Sequence, residues 1–310
     1  MTPTVPSHVT YQGIWPALLT PLDANLDINI PAFARHALKL LDAGCVGVTP
    51  FGTTGEGPSF SVAERIAAID GLIAGGVPAG RILVSTSCAA LPDVVALTRH
   101  AVQAGAFGVL LLPPFFLKGV PDQGVIDFYE QVIAKVADDR LRIVLYHIPQ
   151  ISGVGLSHHV VQTLVQRYPK TIIGIKDSGC QRDVSLAFAR AFMPPLQVWV
   201  GNEPDLQTLA AQGAVGAVSG VGNVMPRLSQ RLVAEFDGPQ AQRDQARVQS
   251  FIDILLNGYG MTAAFKGLMA ILNNDPGWRC VRAPLVALTD AQMAQLATQM
   301  ADFALDQTRD

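Results

Sequence analysis

Three segments of the chain repeat one local pattern: AGCVGV at 43–48, AGAFGV at 104–109 and QGAVGAV at 212–218. Each follows a helix-like amphipathic stretch and precedes a short apolar run. Gly44, Gly105 and Gly213 suit the left-handed position just past a helix C-terminus, which glycine adopts without steric cost. The apolar runs after them read as strands buried on both faces. Helix, glycine stop and buried strand in repetition predict α/β alternation around a parallel sheet.

The same pattern places strands at 14–19, 46–48, 82–85, 109–112, 143–146, 172–176, 198–200 and 217–219, with helices between them. Ser61 followed by Glu64 is a capping-box spelling, and Pro31 and Pro92 suit the first turn of a helix. Further helical stretches lie at 226–235, 240–257, 261–273 and 289–304. Eight regularly spaced units, with no GxGxxG after the first strand, favour a closed (β/α)8 TIM barrel over an open doubly wound sheet. The expected organisation is an N-terminal tail at 1–10, the barrel at 11–236 and a C-terminal helical extension at 237–310.

Composition narrows the classes. Hydrophobic residues make up 49% and charged residues 15%, enough to fill a large core. A net charge of −3 offers no basic field for nucleic acid or an anionic membrane. No apolar run reaches the roughly 20 residues of a spanning helix, and residues 1–10 have neither the basic nor the apolar stretch of a secretory leader. Cys45, Cys88, Cys180 and Cys280 are widely separated, as isolated reduced thiols of a cytoplasmic protein are. No HxH or HExxH occurs, so no metal is expected.

In a barrel the chemistry sits at the C-terminal ends of the strands. Among the lysines, Lys39, Lys135 and Lys266 fall in helical stretches and read as solvated or snorkelling. Lys170 precedes a strand, on the opposite rim, and Lys118 lies in the loop after the fourth strand. Lys176 alone ends a buried strand. Alternation puts it on one face with Ile172 and Gly174, and Gly174 is expected to leave room beneath the amine. A lysine is ordinarily protonated, with a pKa of about 10.4, but burial disfavours the charged form and frees the amine to form an imine with a carbonyl. The bland alternative is an ion pair with Asp177. Tyr146 ends the preceding strand, about 5 Å away, where a phenol can move protons; it can equally be an aromatic core plug. After the second strand comes FGTTGEGPS at 51–59. Its glycines, Gly52 among them, let backbone amides approach a small ligand, and Thr53 and Thr54 add hydroxyls, so the loop suits a carboxylate cradle. Glu56 can pin the loop. A tight turn is the commoner meaning of such a motif.

GTTGE at 52–56, Tyr-x-x-Pro at 146–149 and GIKDS at 174–178, in this order and spacing, resemble the dihydrodipicolinate synthase / N-acetylneuraminate lyase family. GIWPALLTP near the start and GAVGAVSGVGNVMP after Gly201 add to the likeness, which spans residues 11–300. The resemblance implies a pyruvate-type Schiff base on Lys176 with no other cofactor, Tyr146 as acid/base, Thr53 in a proton relay, and Thr54 on the pyruvyl carboxylate. It also implies a tetramer built from tight dimers. There are departures. Synthases of the family carry an arginine where Ile151 stands, and a Tyr-Tyr pair where Phe115-Phe116 stands. The Asp-Glu pair of the sialate lyases is replaced by Asn202-Glu203-Pro204, and their serine for the sugar tail by Gly220. His147 stands where asparagine is usual; it either meets a substrate hydroxyl or fills space.

The expected function is a lyase acting on a 2-keto-3-deoxy sugar acid or similar 2-oxo acid, by retro-aldol cleavage or dehydration. Ser178, Gly201, Glu203 and Ser219 are the candidates for its distal pocket. The alternatives are a 4-hydroxy-tetrahydrodipicolinate synthase and, in another class, a non-catalytic 2-oxo-acid binding or regulatory protein.

Overall fold

A computed structural model describes residues 12–194, 196–303 and 305; the expected tail at 1–10 lies outside them. The elements are β1 (Gly13–Leu18), α1 (Ile30–Asp42), β2 (Thr49–Pro50), α2 (Val62–Ala74), β3 (Leu83–Ser85), α3 (Leu91–Gln103), β4 (Gly108–Leu111), α4 (Asp122–Val136) and β5 (Ile143–His147). They continue with α5 (Pro149–Ser152), α6 (His158–Arg167), β6 (Ile172–Asp177), α7 (Arg182–Phe192), β7 (Gln197–Val200), α8 (Leu206–Ala210) and β8 (Gly216–Ser219). Four helices follow: α9 (Pro226–Ala234), α10 (Pro239–Gly258), α11 (Met261–Asn273) and α12 (Asp290–Met300).

The strands are parallel and ordered β2-β1-β8-β7-β6-β5-β4-β3. A single parallel bridge, Val48 to Ile82, joins the two ends, so the sheet closes into a (β/α)8 barrel with additional C-terminal helices. The second strand is displaced from the expected 46–48. Thr49 and Pro50 form the ladder, opposite Ala17 and Leu18 of β1, while the Val46 amide still donates to Ile14 O at 3.0 Å. Gly47 lies against the Trp15 ring, where a Cβ would stand 2.2 Å from a ring carbon.

Local signals account for the elements. Gly44, Gly105 and Gly213 take φ of +94°, +78° and +96°, turning the chain from helix into strand. Ser61 and Glu64 close a capping box on α2, and Pro31 and Pro92 lie in the first turns of α1 and α3. The strands bury both faces. Their outer face packs under the helices, while Trp15, Leu83, Phe107, Leu110, Val144 and Trp199 fill the interior. Burying about 200 Å² of one such aromatic ring contributes about 5 kcal/mol at ~25 cal/mol per Å². This plug closes the lower part of the barrel and leaves its upper, C-terminal end for the site.

Candidate active site

Lys176 and Tyr146 are opposite one another in the β5–β6 register. Both point inward above the aromatic plug and are almost fully buried. The Lys176 amine lies 4.2 Å from the centroid of the Tyr146 ring. Asp177, one residue on, faces outward, where its carboxylate accepts from Ser185 Oγ at 2.6 Å and from the Gly179 amide at 2.8 Å. The alternation therefore separates Asp177 from the amine, and among the described residues Lys176 has no ion pair. The room expected beneath the amine is taken: a Cβ at Gly174 would stand 2.3 Å from the Trp199 ring. Gly174 is what lets that ring slide under Lys176.

The loop after β2 is folded on itself. Phe51 and Glu56 are left-handed, at φ +63° and +57°. The Gly57 amide donates to Gly52 O at 3.1 Å, and a Cβ on Gly57 would meet Phe51 O at 1.9 Å. Thr20 Oγ1 donates to Gly55 O at 2.8 Å. This fold carries Thr53 Oγ1 to 3.2 Å from the Tyr146 hydroxyl. Thr54 lies near Gly220, whose Cβ would be 3.5 Å from Thr54 Oγ1 and 2.9 Å from the Phe265 ring. Glu56 does pin the loop: it accepts from the Arg282 amide at 3.1 Å and pairs with Lys266. Lys266 is thus neither solvated nor snorkelling. Its side chain is 0% exposed, and its amine also donates to Cys280 O at 2.7 Å. Burial lowers its pKa, and Glu56 opposes that shift. Lys118 stays outside the site, bonding Ser152 O at 2.5 Å and Phe115 O.

A cavity of about 280 Å³ opens above these groups. Thr53, Thr54, Tyr146, Lys176, Ser178, Gly201 and Glu203 all line it. Ser178 Oγ is buried and has no hydrogen-bond partner among the described residues. Gly201 is confined: a Cβ there would stand 1.8 Å from Ser178 Oγ and 2.8 Å from Lys176 Cε. Glu203 holds the start of the next loop through Oε1, accepting from the Gly220 amide at 2.7 Å, Ser219 Oγ at 2.9 Å and the Val221 amide at 3.2 Å.

Three candidates fall elsewhere. Ser219 is 0% exposed and spends its hydroxyl on Glu203 and the Gly222 amide, so it supports the wall instead of lining it. His147 faces outward because Tyr146 faces in. Its Nδ1 accepts from the Leu156 amide at 3.0 Å, and its ring meets Phe188 edge-on. Burial lowers its pKa against the pull of Asp177. Gly52 lines an adjoining cavity of about 420 Å³, which shares Thr53, Tyr146, Ile148 and Ile151 with the first.

The pattern along the chain did not reveal Ile252, Leu256, Met261 and Phe265, from the C-terminal helices, which form one wall of the cavity, nor Gln150. It also missed Asn223, fully buried, whose side chain donates to Ala17 O and Gly220 O and accepts from the Leu19 amide and His36 Nε2. A lone asparagine in the apolar run after β8 was the available signal, since a buried amide requires partners.

The sequence matches the Dihydrodipicolinate synthetase family profile over residues 10–302. An uncharacterised DapA-like lyase of Chloroflexus aurantiacus is 31% identical, over 92% of this chain and 94% of that protein. The crystal structure of dihydrodipicolinate synthase from Agrobacterium tumefaciens C58 superposes with a TM-score of 0.87 at 31% identity, covering 93% of this chain and 98% of the other. N-acetylneuraminate lyase of Rattus norvegicus is 26% identical over 86% of this chain and 84% of its own. With the fold, the profile and these relatives in agreement, the chain is a lyase of the dihydrodipicolinate synthetase family.

Proposed function

We propose that the protein cleaves or dehydrates a 2-keto-3-deoxy sugar acid, or a 2-oxo acid like it, through an imine on Lys176. The observation that carries this is the grouping of a buried amine, a phenol and a threonine hydroxyl around one small cavity: Lys176 over the Tyr146 ring at 4.2 Å, and Thr53 3.2 Å from the phenol.

The neutral Lys176 amine adds to C2 of the keto acid. Tyr146 supplies a proton to the carbinolamine oxygen, water leaves, and a protonated imine remains. For cleavage, the phenolate takes the proton of the C4 hydroxyl, the C3–C4 bond breaks, and its electron pair moves into the imine as an enamine. The aldehyde departs. Protonation at C3 and addition of water release pyruvate and restore the amine. Thr53 passes protons to and from Tyr146, and Thr54 with the loop amides holds the carboxylate. The imine is the electron sink, so the step requires no other cofactor.

The lining supports a hydroxylated, uncharged distal portion. Among the described residues that line it, Lys176 is the one cationic side chain, while Ser178, Asn202, Glu203 and Gln150 offer hydrogen-bonding groups. Ile151 stands at the mouth, 61% exposed, with nothing to grip a second carboxylate. A second possibility, 4-hydroxy-tetrahydrodipicolinate synthase, is favoured by the likeness to the Agrobacterium synthase and opposed by Ile151. We further propose that a second copy covers the loop after β4, consistent with a dimer of dimers. Phe116 there is 76% exposed, and Phe115 lines the adjoining cavity.

Borohydride reduction in the presence of pyruvate, followed by mass spectrometry, tests the imine. We expect an adduct on Lys176 that is lost in Lys176→Ala; no adduct, or one that survives the substitution, refutes the proposal. Release of pyruvate from a panel of 2-keto-3-deoxy sugar acids, set against condensation of pyruvate with aspartate semialdehyde, separates the two activities.

A further inference from the structure

Lys266 and Glu56 form an ion pair with both side chains at 0% exposure. Such a pair is an inefficient source of stability, because desolvating two ions offsets most of their attraction and apolar residues of similar volume hold as well. What it supplies, and an apolar contact does not, is direction. The Lys266 amine is fixed by Glu56 and by Cys280 O, and the Glu56 carboxylate by Lys266 and the Arg282 amide.

Arg282 extends the clamp to the whole loop. Its guanidinium donates to Ser59 O at 3.0 Å, Leu26 O at 2.9 Å and Glu64 Oε1 at 2.5 Å. Glu56 ends a single turn that begins at Thr53, since its amide donates to Thr53 O at 3.2 Å. One end of that turn is tied to α11 through Lys266, and the other presents Thr53 to Tyr146. The residue preceding Lys266, Phe265, forms part of the cavity wall, so wall and clamp belong to the same helix.

We propose that the Lys266–Glu56 pair is a positioning element: through it, α11 sets the Thr53 hydroxyl against the Tyr146 phenol for proton transfer to and from the bound 2-oxo acid. The inference rests on the Schiff-base function of Lys176. Neither Lys266 nor Glu56 touches the substrate; both act through Thr53.

Pyruvate alone is a sufficient probe. In deuterium oxide the imine loses a C3 proton to give the enamine, the C–H electron pair becoming the new double bond, and reversal delivers a deuteron. Loss of the methyl signal by NMR therefore reports proton transfer, while borohydride trapping reports imine formation. Three variants are compared with the wild type: Lys266→Met, Glu56→Gln, and the two combined. Each should trap the same final amount of adduct on Lys176, with exchange slowed about tenfold or more. The combined variant, which removes both charges, should regain thermal stability relative to Lys266→Met and yet remain slow. In a Thr53→Val background the combined substitution should add no more than about a twofold further loss, because residues acting through one group are not additive.

Exchange in the combined variant within about twofold of wild type would overturn the inference, as would full multiplication of its effect with that of Thr53→Val. So would a loss of exchange that merely tracks the folded fraction measured by circular dichroism. Failure of the wild type to give either adduct or exchange would overturn the Schiff-base function itself, and the inference with it.

Discussion

Replacing Gly201 by alanine is a sharp test of where Lys176 must stand. The added Cβ would lie 1.8 Å from Ser178 Oγ, 2.8 Å from Lys176 Cε and 3.0 Å from Asp177 O. The Asp177 carbonyl is backbone and already receives the Gly201 amide at 2.7 Å, so it cannot retreat. The Ser178 hydroxyl can rotate away. The lysine then has to move: carbon atoms rest at about 3.5–4.0 Å, so Cε must withdraw by about 0.7–1.2 Å. A displacement of ~1 Å in a reacting group costs ~100-fold in rate, or about 2.7 kcal/mol of barrier. The assay is the rate of pyruvate-dependent borohydride trapping at a fixed pyruvate concentration, with the melting temperature measured alongside. Gly201→Ala should fold, bind pyruvate and trap it about 100-fold more slowly. The double variant Gly201→Ala/Ser178→Ala removes the hydroxyl contact and keeps the contact with Cε, so it should stay slow. A trapping rate within about threefold of wild type would refute the placement. Recovery in the double variant would identify Ser178, rather than the lysine, as the obstacle.

Three further outcomes follow from the same geometry. Tyr146→Phe should lower kcat by about 10²–10⁴-fold with little change in KM, the range for a positioned acid/base, and a loss below about tenfold would exclude the phenol from proton transfer. Ser219→Ala should cost about 1 kcal/mol in urea denaturation while leaving KM close to wild type, because its hydroxyl serves Glu203; a large rise in KM at unchanged stability would return Ser219 to the substrate pocket. Burial holds the His36 imidazole down to about 4, so the folded state keeps it neutral while the unfolded chain protonates near 6.5. Its stabilising effect is complete above about 6.5 and is lost as pH falls toward about 4, by about 3 kcal/mol in all. Urea denaturation across that interval should therefore show a flatter pH dependence in His36→Gln than in wild type, and identical slopes would remove His36 from the linkage.

Much of the architecture was determined by the sequence alone. Gly44, Gly105 and Gly213 end helices because their φ is positive, and a buried run follows each at a regular interval. That repetition predicts a parallel α/β sheet, the count of eight units favours its closure into a barrel, and the strand order puts Lys176 and Tyr146 at neighbouring strand ends, where they meet in register. The capping box on α2 and the prolines of α1 and α3 are equally local, since each is settled by contacts within one turn.

Only the tertiary structure decided which side of each strand end faces the cavity. Alternation says that Tyr146 and His147, or Lys176 and Asp177, take opposite faces, but both faces of a barrel strand are buried and no polar–apolar contrast marks the inner one. His147 and Asp177 proved to be on the outer face, under the helices. Likewise, a helical lysine far along the chain looks solvent-exposed until the fold brings a carboxylate to it. Lys266 met Glu56 because α11 packs across the mouth of the barrel, and no local pattern records a partner that only long-range packing supplies.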